Sequence, residues 1–126
     1  MILLDTSVLL DYFRKVDKEK TLFHNLAKNY STLRISQISY FEILRGSNQN
    51  QKSFWIDIFE DLDFLDFDIQ CADSAVLIYK ELKSKNQLIE TADLLIAATA
   101  IANNLPLATF NVKDFQKISS LELVTF

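Results

Sequence analysis

Short apolar runs alternate along the chain with longer segments in which apolar residues recur every three or four positions. The short runs predict buried strands, and the longer spacing predicts amphipathic helices. Strands that alternate with helices indicate parallel strand pairing, with helices on both faces of the sheet. We therefore predict an α/β domain. Its predicted strands are residues 1–4, 33–36, 64–67, 107–110 and 121–125.

Helix-capping residues mark several boundaries between these elements. Asp5 and the two hydroxyl-bearing residues after it can cap a first helix that directly follows the first strand. Gly46 is suited to a left-handed cap at the end of the third helix. The predicted helices are residues 6–14, 17–30, 40–45, 50–62, 72–85 and 91–103, with a brief helix between the last two strands.

The composition indicates one globular domain over residues 1–126. Only one Gly and one Pro occur, so the chain contains no recognisable linker. Cys71 is the only cysteine, which favours a reducing compartment. The apolar N-terminal run carries Asp5 and lacks a basic leader, so we expect neither a signal peptide nor a membrane span. The expected location is the cytoplasm.

The formal net charge of −4 restricts the ways in which this protein can bind nucleic acid. Non-specific affinity for phosphates comes from Lys and Arg side chains that displace counterions. An acidic protein that binds RNA must therefore place its cations locally, or use metal ions as the positive charge. The positions of the acidic residues therefore have to be considered as a possible metal site.

Three acidic residues occupy positions that favour a common site. Ligands of parallel α/β sheets gather beyond the carboxyl ends of the strands, where Asp5 follows the first strand and Asp114 follows the fourth. Asp93 begins an apolar stripe on its helix, because Ile96 and Ala97 lie three and four residues further on. We therefore expect the Asp93 carboxylate to point inward, where it needs a cation, hydrogen-bond donors or a raised pKa.

Each candidate acid also has an ordinary structural explanation. Asp5 is suited to cap the first helix, and Asp93 lies in a first helical turn, where the helix dipole favours a carboxylate. Asp114 is spaced to complete a capping box, and Glu42 is spaced to form a surface ion pair with Arg45. One shared site explains all four acids more economically, but their spacing alone leaves both interpretations open.

Four motifs resemble those of the PIN-domain nucleases, and specifically the VapC-type toxins of toxin–antitoxin pairs. They are LDTS at residues 4–7, EILRG at 42–46, DLLIAATA at 93–100 and TFNVKDF at 109–115, in the family's order and over essentially the whole chain. One departure is Asn103-Asn104, where the family often has a Gly; Asn also tolerates a left-handed helix cap. The resemblance implies a PIN-like three-layer α/β/α fold with a short central parallel sheet of four to five strands.

The resemblance also implies a metal-dependent endoribonuclease that acts as a toxin. Carboxylates suit Mg²⁺, with Mn²⁺ as an alternative, and a bound metal would activate water for phosphodiester hydrolysis. His24 and Cys71 are the only His and Cys, which disfavours zinc. The implied catalytic residues and metal ligands are Asp5, Glu42, Asp93 and Asp114, supported by Thr6, Ser7, Thr109 and Asn111.

Several cations are candidates for contacts with RNA. Arg45 should share a helix face with Glu42 and is the best candidate for a phosphate contact. Lys113, adjacent to Asp114, and Arg14 and Lys15, at the end of the first helix, are weaker candidates. Taken singly, each is more typical of a solvated surface charge. By resemblance, the other expected partners are a cognate antitoxin and a second copy of the chain in a homodimer.

Other functions remain possible at the level of sequence. A dehalogenase-like phosphotransfer domain needs a second Asp where this chain has Ser7, and a receiver domain needs a Lys where it has Thr109. A DNA-directed or RNA-processing nuclease is the nearer alternative. A catalytically inactive binding module is disfavoured, because all four acids are present.

Overall fold

Five parallel strands form one sheet in the computed structural model, which describes residues 1–125. In chain order they are β1 (Ile2–Leu4), β2 (Leu33–Ser36), β3 (Asp63–Leu65), β4 (Leu107–Ala108) and β5 (Leu123–Val124). The spatial order is β3-β2-β1-β4-β5, so β1 lies in the centre. The prediction of an α/β fold with a short parallel sheet is therefore confirmed.

Within residues 1–125, seven α-helices connect and flank the strands. Two short 3₁₀ turns, at residues 18–20 and 49–51, precede the second and fourth of these helices. The helices are α1 (Thr6–Arg14), α2 (Leu22–Asn29), α3 (Gln37–Arg45), α4 (Lys52–Glu60), α5 (Ile69–Ser84), α6 (Thr91–Ala102) and α7 (Val112–Phe115).

Side-chain caps fix the starts of two helices, and one of these starts differs from its predicted position. The Thr21 hydroxyl accepts a hydrogen bond from the His24 backbone N–H, so α2 begins after the 3₁₀ turn rather than at residue 17. The Ser36 hydroxyl accepts a hydrogen bond from the Ser39 N–H, so α3 begins directly after β2 and includes residues 40–45 as predicted. In both cases a capping hydroxyl satisfies a free helical N–H and fixes the boundary.

The prediction of a left-handed cap at Gly46 is wrong. Gly46 has φ −90° and ψ −4°, which any residue can adopt. The carbonyls at the end of α3 are satisfied instead by Ser47, whose N–H donates to Leu44 O and whose hydroxyl donates to Ile43 O. A left-handed cap does occur at the end of α6, where Asn104 has φ 55°.

Two apolar cores lie on opposite faces of the sheet. Ile2 and Leu4 of β1 pack into the core under α1, α2 and α4, whereas Leu3 packs into the core under α5 and α6. This alternation follows from the two-residue period of a strand and makes β1 fully buried on both faces. The central strand is therefore held rigidly, and so is the residue that follows it.

The carboxyl ends of three strands meet at one edge of the sheet. Leu4 of β1 lies beside Ile35 of β2 and Ala108 of β4. The residues that follow these positions, Asp5, Ser36 and Thr109, are all buried. This edge is where the sequence predicts the site. In the described part of the chain, none of the helices has both the length and the apolar character needed to span a membrane.

Two leucines on α5 provide a matched test of the second core. Leu82 is fully buried, whereas the side chain of Leu77 is 71% exposed. We expect Leu82→Ala to lower the free energy of unfolding by about 2–5 kcal/mol, because it removes buried methyl groups and leaves a cavity. Leu77→Ala should change it by less than about 1 kcal/mol. Urea unfolding measures both, and equal losses would contradict the assigned core.

Candidate active site

Asp5 lies at the carboxyl end of β1, and its side chain is only 3% exposed. Its Oδ2 accepts hydrogen bonds from the Ser7 hydroxyl at 2.7 Å and the Thr109 hydroxyl at 2.8 Å. The carboxylate accepts no hydrogen bond from a backbone N–H of α1, so the interpretation of Asp5 as a side-chain cap is wrong. Its donors come from opposite ends of the chain, as expected of a shared site.

The two hydroxyls that bind Asp5 are themselves oriented by the backbone. The Phe110 N–H donates to the Ser7 hydroxyl at 3.1 Å, and the Asn111 N–H donates to the Thr109 hydroxyl at 2.9 Å. Each hydroxyl has one proton, and accepting from the backbone leaves that proton for the carboxylate. The segment after β4 thus fixes the position of Asp5.

Glu42 lies on α3, and its Oε1 accepts a hydrogen bond from the Thr6 hydroxyl at 2.8 Å. The Thr6 oxygen also lies 2.9 Å from the hydroxyl of the fully buried Ser39. The expected ion pair between Glu42 and Arg45 does not form, since the Arg45 guanidinium lies over the ring of Phe41 at 5.3 Å. Glu42 is therefore directed towards the first motif rather than towards the surface cation.

One amide connects the last two acids. The Asn111 Nδ2 donates to Asp93 Oδ2 at 3.3 Å and to Asp114 Oδ2 at 3.1 Å. Asn111 makes no side-chain capping bond at the start of α7, so the capping box proposed for Asp114 is absent. Asp93 is half-buried at the start of α6, whereas Ile96 and Ala97 on the same stripe are fully buried, so the expected inward orientation is only partly realised.

The pKa of Asp93 shows that the acids converge. Burial is the largest cause that raises it, and neighbouring negative charges raise it further, to about 6. The neighbours are Asp5, Glu42, Glu90 and Asp114. Three of these four are acids that the sequence analysis assigned to the same site. Their carboxylates lie close enough to Asp93 to raise its pKa.

The four acids do not form a compact metal-binding cluster. Among residues 1–125, no group of three His, Cys, Asp or Glu side chains has the arrangement needed to hold a metal ion as it stands. The donors nevertheless have the chemistry of a hard-cation site, since four other carboxylates act electrostatically on Asp93. The residues therefore fit Mg²⁺ by donor type and charge.

The candidate RNA-binding cations have different surroundings. Arg14 and Glu42 line the same cavity of about 270 Å³, together with Phe13 and Trp55. Lys15 is an exposed residue 3.8 Å from Asp11, which gives it a surface ion pair instead.

Lys113 is exposed on α7 beside Asp114, and Arg45 is exposed on α3 over Phe41. The structure thus brings Arg14 to a cavity that an acid of the site also lines.

Sequence reasoning missed three polar residues near the acids. Ser39 lies beside Thr6, Glu90 adds negative charge near Asp93, and the Lys117 Nζ lies 3.4 Å from Asp114 Oδ1. Each is three positions from one of the predicted acids, a spacing that puts two side chains on the same side of a helix turn. This spacing could have indicated that the three residues lie near the site, but it is also common on ordinary helix surfaces.

Comparison with known proteins identifies the family. The PIN domain model matches residues 2–121. The chain belongs to the PIN-domain family. Ribonuclease VapC1 of Methanocaldococcus jannaschii is 36% identical to it over 97% of this chain and 84% of the relative. Ribonuclease VapC2 of Rickettsia felis is 34% identical over 96% of this chain and 94% of the relative.

A solved structure agrees with this assignment. VapBC2 from Rickettsia felis, bound to a DNA fragment from its promoter, superposes with a TM-score of 0.83 at 32% identity. The match covers 100% of this chain and 99% of that chain. The resemblance inferred from the four motifs is confirmed, and the dehalogenase-like and receiver-like interpretations are excluded.

The raised pKa of Asp93 predicts a stability gain when its charge is removed. A carboxyl group whose pKa rises from 3.8 to about 6 on folding stabilises the fold only when protonated, and this contribution is lost as the pH rises through 6. In EDTA at pH 7.5, we expect Asp93→Asn to raise the free energy of unfolding by about 1–2 kcal/mol, after allowance for solvent screening.

Urea unfolding across pH tests the sign of this effect. The gain should shrink as the pH falls below 6 and vanish below about pH 3, where wild-type Asp93 is protonated in both the folded and the unfolded state. Asp11→Asn, at a surface ion pair with Lys15, is the control that should show no such gain. A stability loss for Asp93→Asn at pH 7.5 would contradict the clustered acids.

Two buried threonines test the hydroxyl bond to Asp5. Thr109→Val removes a donor to a buried carboxylate and the acceptor of the Asn111 N–H, so we expect a loss of about 1–3 kcal/mol in unfolding free energy. Thr99→Val should lose less than about 1 kcal/mol, because the Thr99 hydroxyl donates to Leu95 O, within its own helix, and touches no carboxylate of the site. Similar losses in the two variants would refute a special role for Thr109.

Proposed function

We propose that the chain is a Mg²⁺-dependent endoribonuclease that acts as the toxin of a toxin–antitoxin pair. The observation that carries this proposal is the convergence of carboxylates from four separate motifs, as expressed in the raised pKa of Asp93. Such a cluster is unfavourable without a cation, since like charges at about 4 Å repel by roughly 4 kcal/mol per pair at an effective dielectric near 20. A cluster of carboxylates in the folded protein is suited to an active form that binds a divalent metal.

Mg²⁺, or Mn²⁺ as an alternative, would be held by Asp5, Glu42, Asp93 and Asp114, directly or through water. When bound, the metal supplies positive charge for the scissile phosphate and lowers the pKa of a coordinated water. Asp5 is already fixed by its hydroxyl donors, whereas Asp93 and Glu42 are only half-buried. We infer that these two side chains adjust to complete the ligand set.

Neutral side chains would hold the ligands in place. Ser7 and Thr109 orient Asp5, Thr6 orients Glu42, and Asn111 spans the remaining two acids. Positioned donors of this kind are expected to affect metal affinity and activity nearly as much as the ligands do. These four residues are the ones that the sequence motifs assigned to that supporting role.

Cations at the rim would bind the RNA backbone. Arg14 is the strongest candidate, because it shares a cavity with Glu42. Lys113 and Arg45 are exposed on the helices that carry Asp114 and Glu42, and Lys15 contributes least because Asp11 pairs with it. Together with the metal, these side chains would offset the net charge of −4 where the phosphates bind.

RNA is the proposed substrate because the curated relatives are named ribonucleases. The alternatives are a PIN nuclease that processes RNA or cuts DNA without a toxin role, and a binding module without activity. Matched RNA and DNA oligonucleotides of one sequence separate these possibilities. Cleavage of neither in Mg²⁺ would favour the binding module.

We expect Mg²⁺-dependent cleavage of RNA by the wild-type protein and none in EDTA. Asp5→Asn and Asp93→Asn should each lower the cleavage rate by at least about 100-fold, because each removes a metal ligand. Asp17→Asn, at an exposed ion pair with Lys20, is a control that should cleave at the wild-type rate. Mg²⁺ should also raise the wild-type melting temperature by mass action. Full activity of Asp93→Asn would overturn the proposed site.

We further propose that a cognate antitoxin blocks this site in the cytoplasm and that the domain forms a homodimer. Support comes from the similar VapBC toxin–antitoxin complexes and from exposed apolar side chains such as Phe41, at 60%, and Ile69, at 74%. Light scattering of the purified chain tests the dimer. Co-expression with the protein encoded beside it tests the antitoxin, and failure to relieve growth arrest would count against that partner.

A further inference from the structure

Lys117 is a cation at the candidate site that none of the four motifs contains. It lies one helical turn after Asp114, with its Nζ 3.4 Å from Asp114 Oδ1. The opposite oxygen, Asp114 Oδ2, accepts from the Asn111 amide at 3.1 Å. Both oxygens of this carboxylate therefore already have donors within the last motif and the turn that follows it.

The lysine of the ion pair at Asp114 is better protected from solvent than the lysines of the other pairs, whereas Asp114 itself, 33% exposed, is similar to Glu81 at 32% and more exposed than Asp11 at 22%. Within residues 1–125, four lysines form ion pairs, and the Lys117 side chain is 25% exposed compared with 50% for Lys85, the next lowest. Exposed pairs contribute little because water screens them, whereas partial burial strengthens the attraction. Ile118, the next residue, is 2% exposed, and it anchors the segment that carries the lysine.

The other acids of the site have no such partner. Asp5 and Glu42 accept from hydroxyl groups, and Asp93 accepts from an amide, so their hydrogen bonds leave their negative charge uncompensated. Asp114 alone of the four has a cation within 4 Å. The Asp114 carboxylate therefore attracts a divalent metal less strongly than a carboxylate without a neighbouring cation would.

We propose that Lys117 is a positioning residue that holds Asp114 as its own counter-ion and so weakens the pull of that carboxylate on a divalent metal. The metal then depends mainly on Asp5, Glu42 and Asp93. Lys117 keeps Asp114 in one orientation and limits the affinity of the whole site. This inference rests on the proposed metal site, but it is tested by a separate variant.

Removal of the lysine should tighten metal binding. Mn²⁺ is the probe, and its binding to the full chain is measured by electron paramagnetic resonance of the free ion. We expect Lys117→Met to bind Mn²⁺ roughly three- to tenfold more tightly, because one repelling charge is lost and Asp114 is released. Lys117→Arg keeps the charge and should stay within about twofold of the wild-type protein.

Two controls separate this effect from a general change in charge or folding. Lys85→Met removes an equal charge from the Glu81 pair on α5 and should leave Mn²⁺ binding unchanged. In an Asp114→Asn background, Lys117→Met should give a smaller gain, since no carboxylate remains to be released. Thermal unfolding checks that each variant is folded, and Lys117→Gln replaces the methionine variant if that one unfolds.

The outcomes distinguish this inference from the proposed function. Unchanged or weaker Mn²⁺ binding in Lys117→Met, with normal wild-type binding, overturns the role of Lys117 and leaves the metal site intact. An equal gain in the Asp114→Asn background also overturns it, because the lysine would then act without its partner. Failure of the wild-type protein to bind Mn²⁺ overturns both proposals.

Discussion

The Asp5 carboxylate, held by the hydroxyls of Ser7 and Thr109, is the contact on which the arrangement of the site depends. A buried carboxylate costs several kcal/mol unless donors replace its water. These donors come from α1 and from the end of β4, which are distant in sequence. The bond therefore joins the first and last motifs, and the central strand β1 provides the rigid support. The other acids are arranged around this fixed point.

The fold tolerates the repulsion between the carboxylates at this edge of the sheet because both faces of the sheet are well packed. Apolar cores enclose β1 on either side, so the strand ends cannot separate when the acids repel one another. Strain of this kind is commonly found where a protein binds a ligand of opposite charge. Burial raises the pKa of Asp93 most, and repulsion from the neighbouring acids raises it further. The repulsion between these carboxylates lowers the stability of the fold at neutral pH, and the same negative charge attracts a cation.

Sequence alone predicted much of this arrangement. The apolar pattern gave the parallel α/β sheet, and the positions of Asp5 and Asp93 followed from strand ends and helix periodicity. Glu42 could be assigned only by resemblance, because its contact with Thr6 joins residues 36 positions apart. Helix ends were less predictable: Gly46 suits a left-handed cap, but Ser47 satisfies the same carbonyls another way.

The site residues that could not be predicted from the sequence lie at spacings that also occur on ordinary helix surfaces. Lys117 follows Asp114 by three positions, and Lys20 follows Asp17 by the same spacing in an exposed pair. The two pairs differ in burial, which depends on the packing of Phe115 and Ile118 in the second core. Burial of this kind is a tertiary property. A one-turn spacing therefore cannot distinguish a functional ion pair from a surface pair.

The choice of donors explains how the site stays both ordered and negative. An arginine beside Asp5 would orient that carboxylate as well as Thr109 does, but it would also cancel its charge. Hydroxyl and amide donors fix the oxygens and leave the charge in place, so three of the acids retain their attraction for a cation. The only compensating cation pairs with Asp114, at the end of the last motif. Neutral donors at the centre and one lysine beside the fourth acid thus leave the negative charge concentrated on Asp5, Glu42 and Asp93, in a protein whose net charge is already −4.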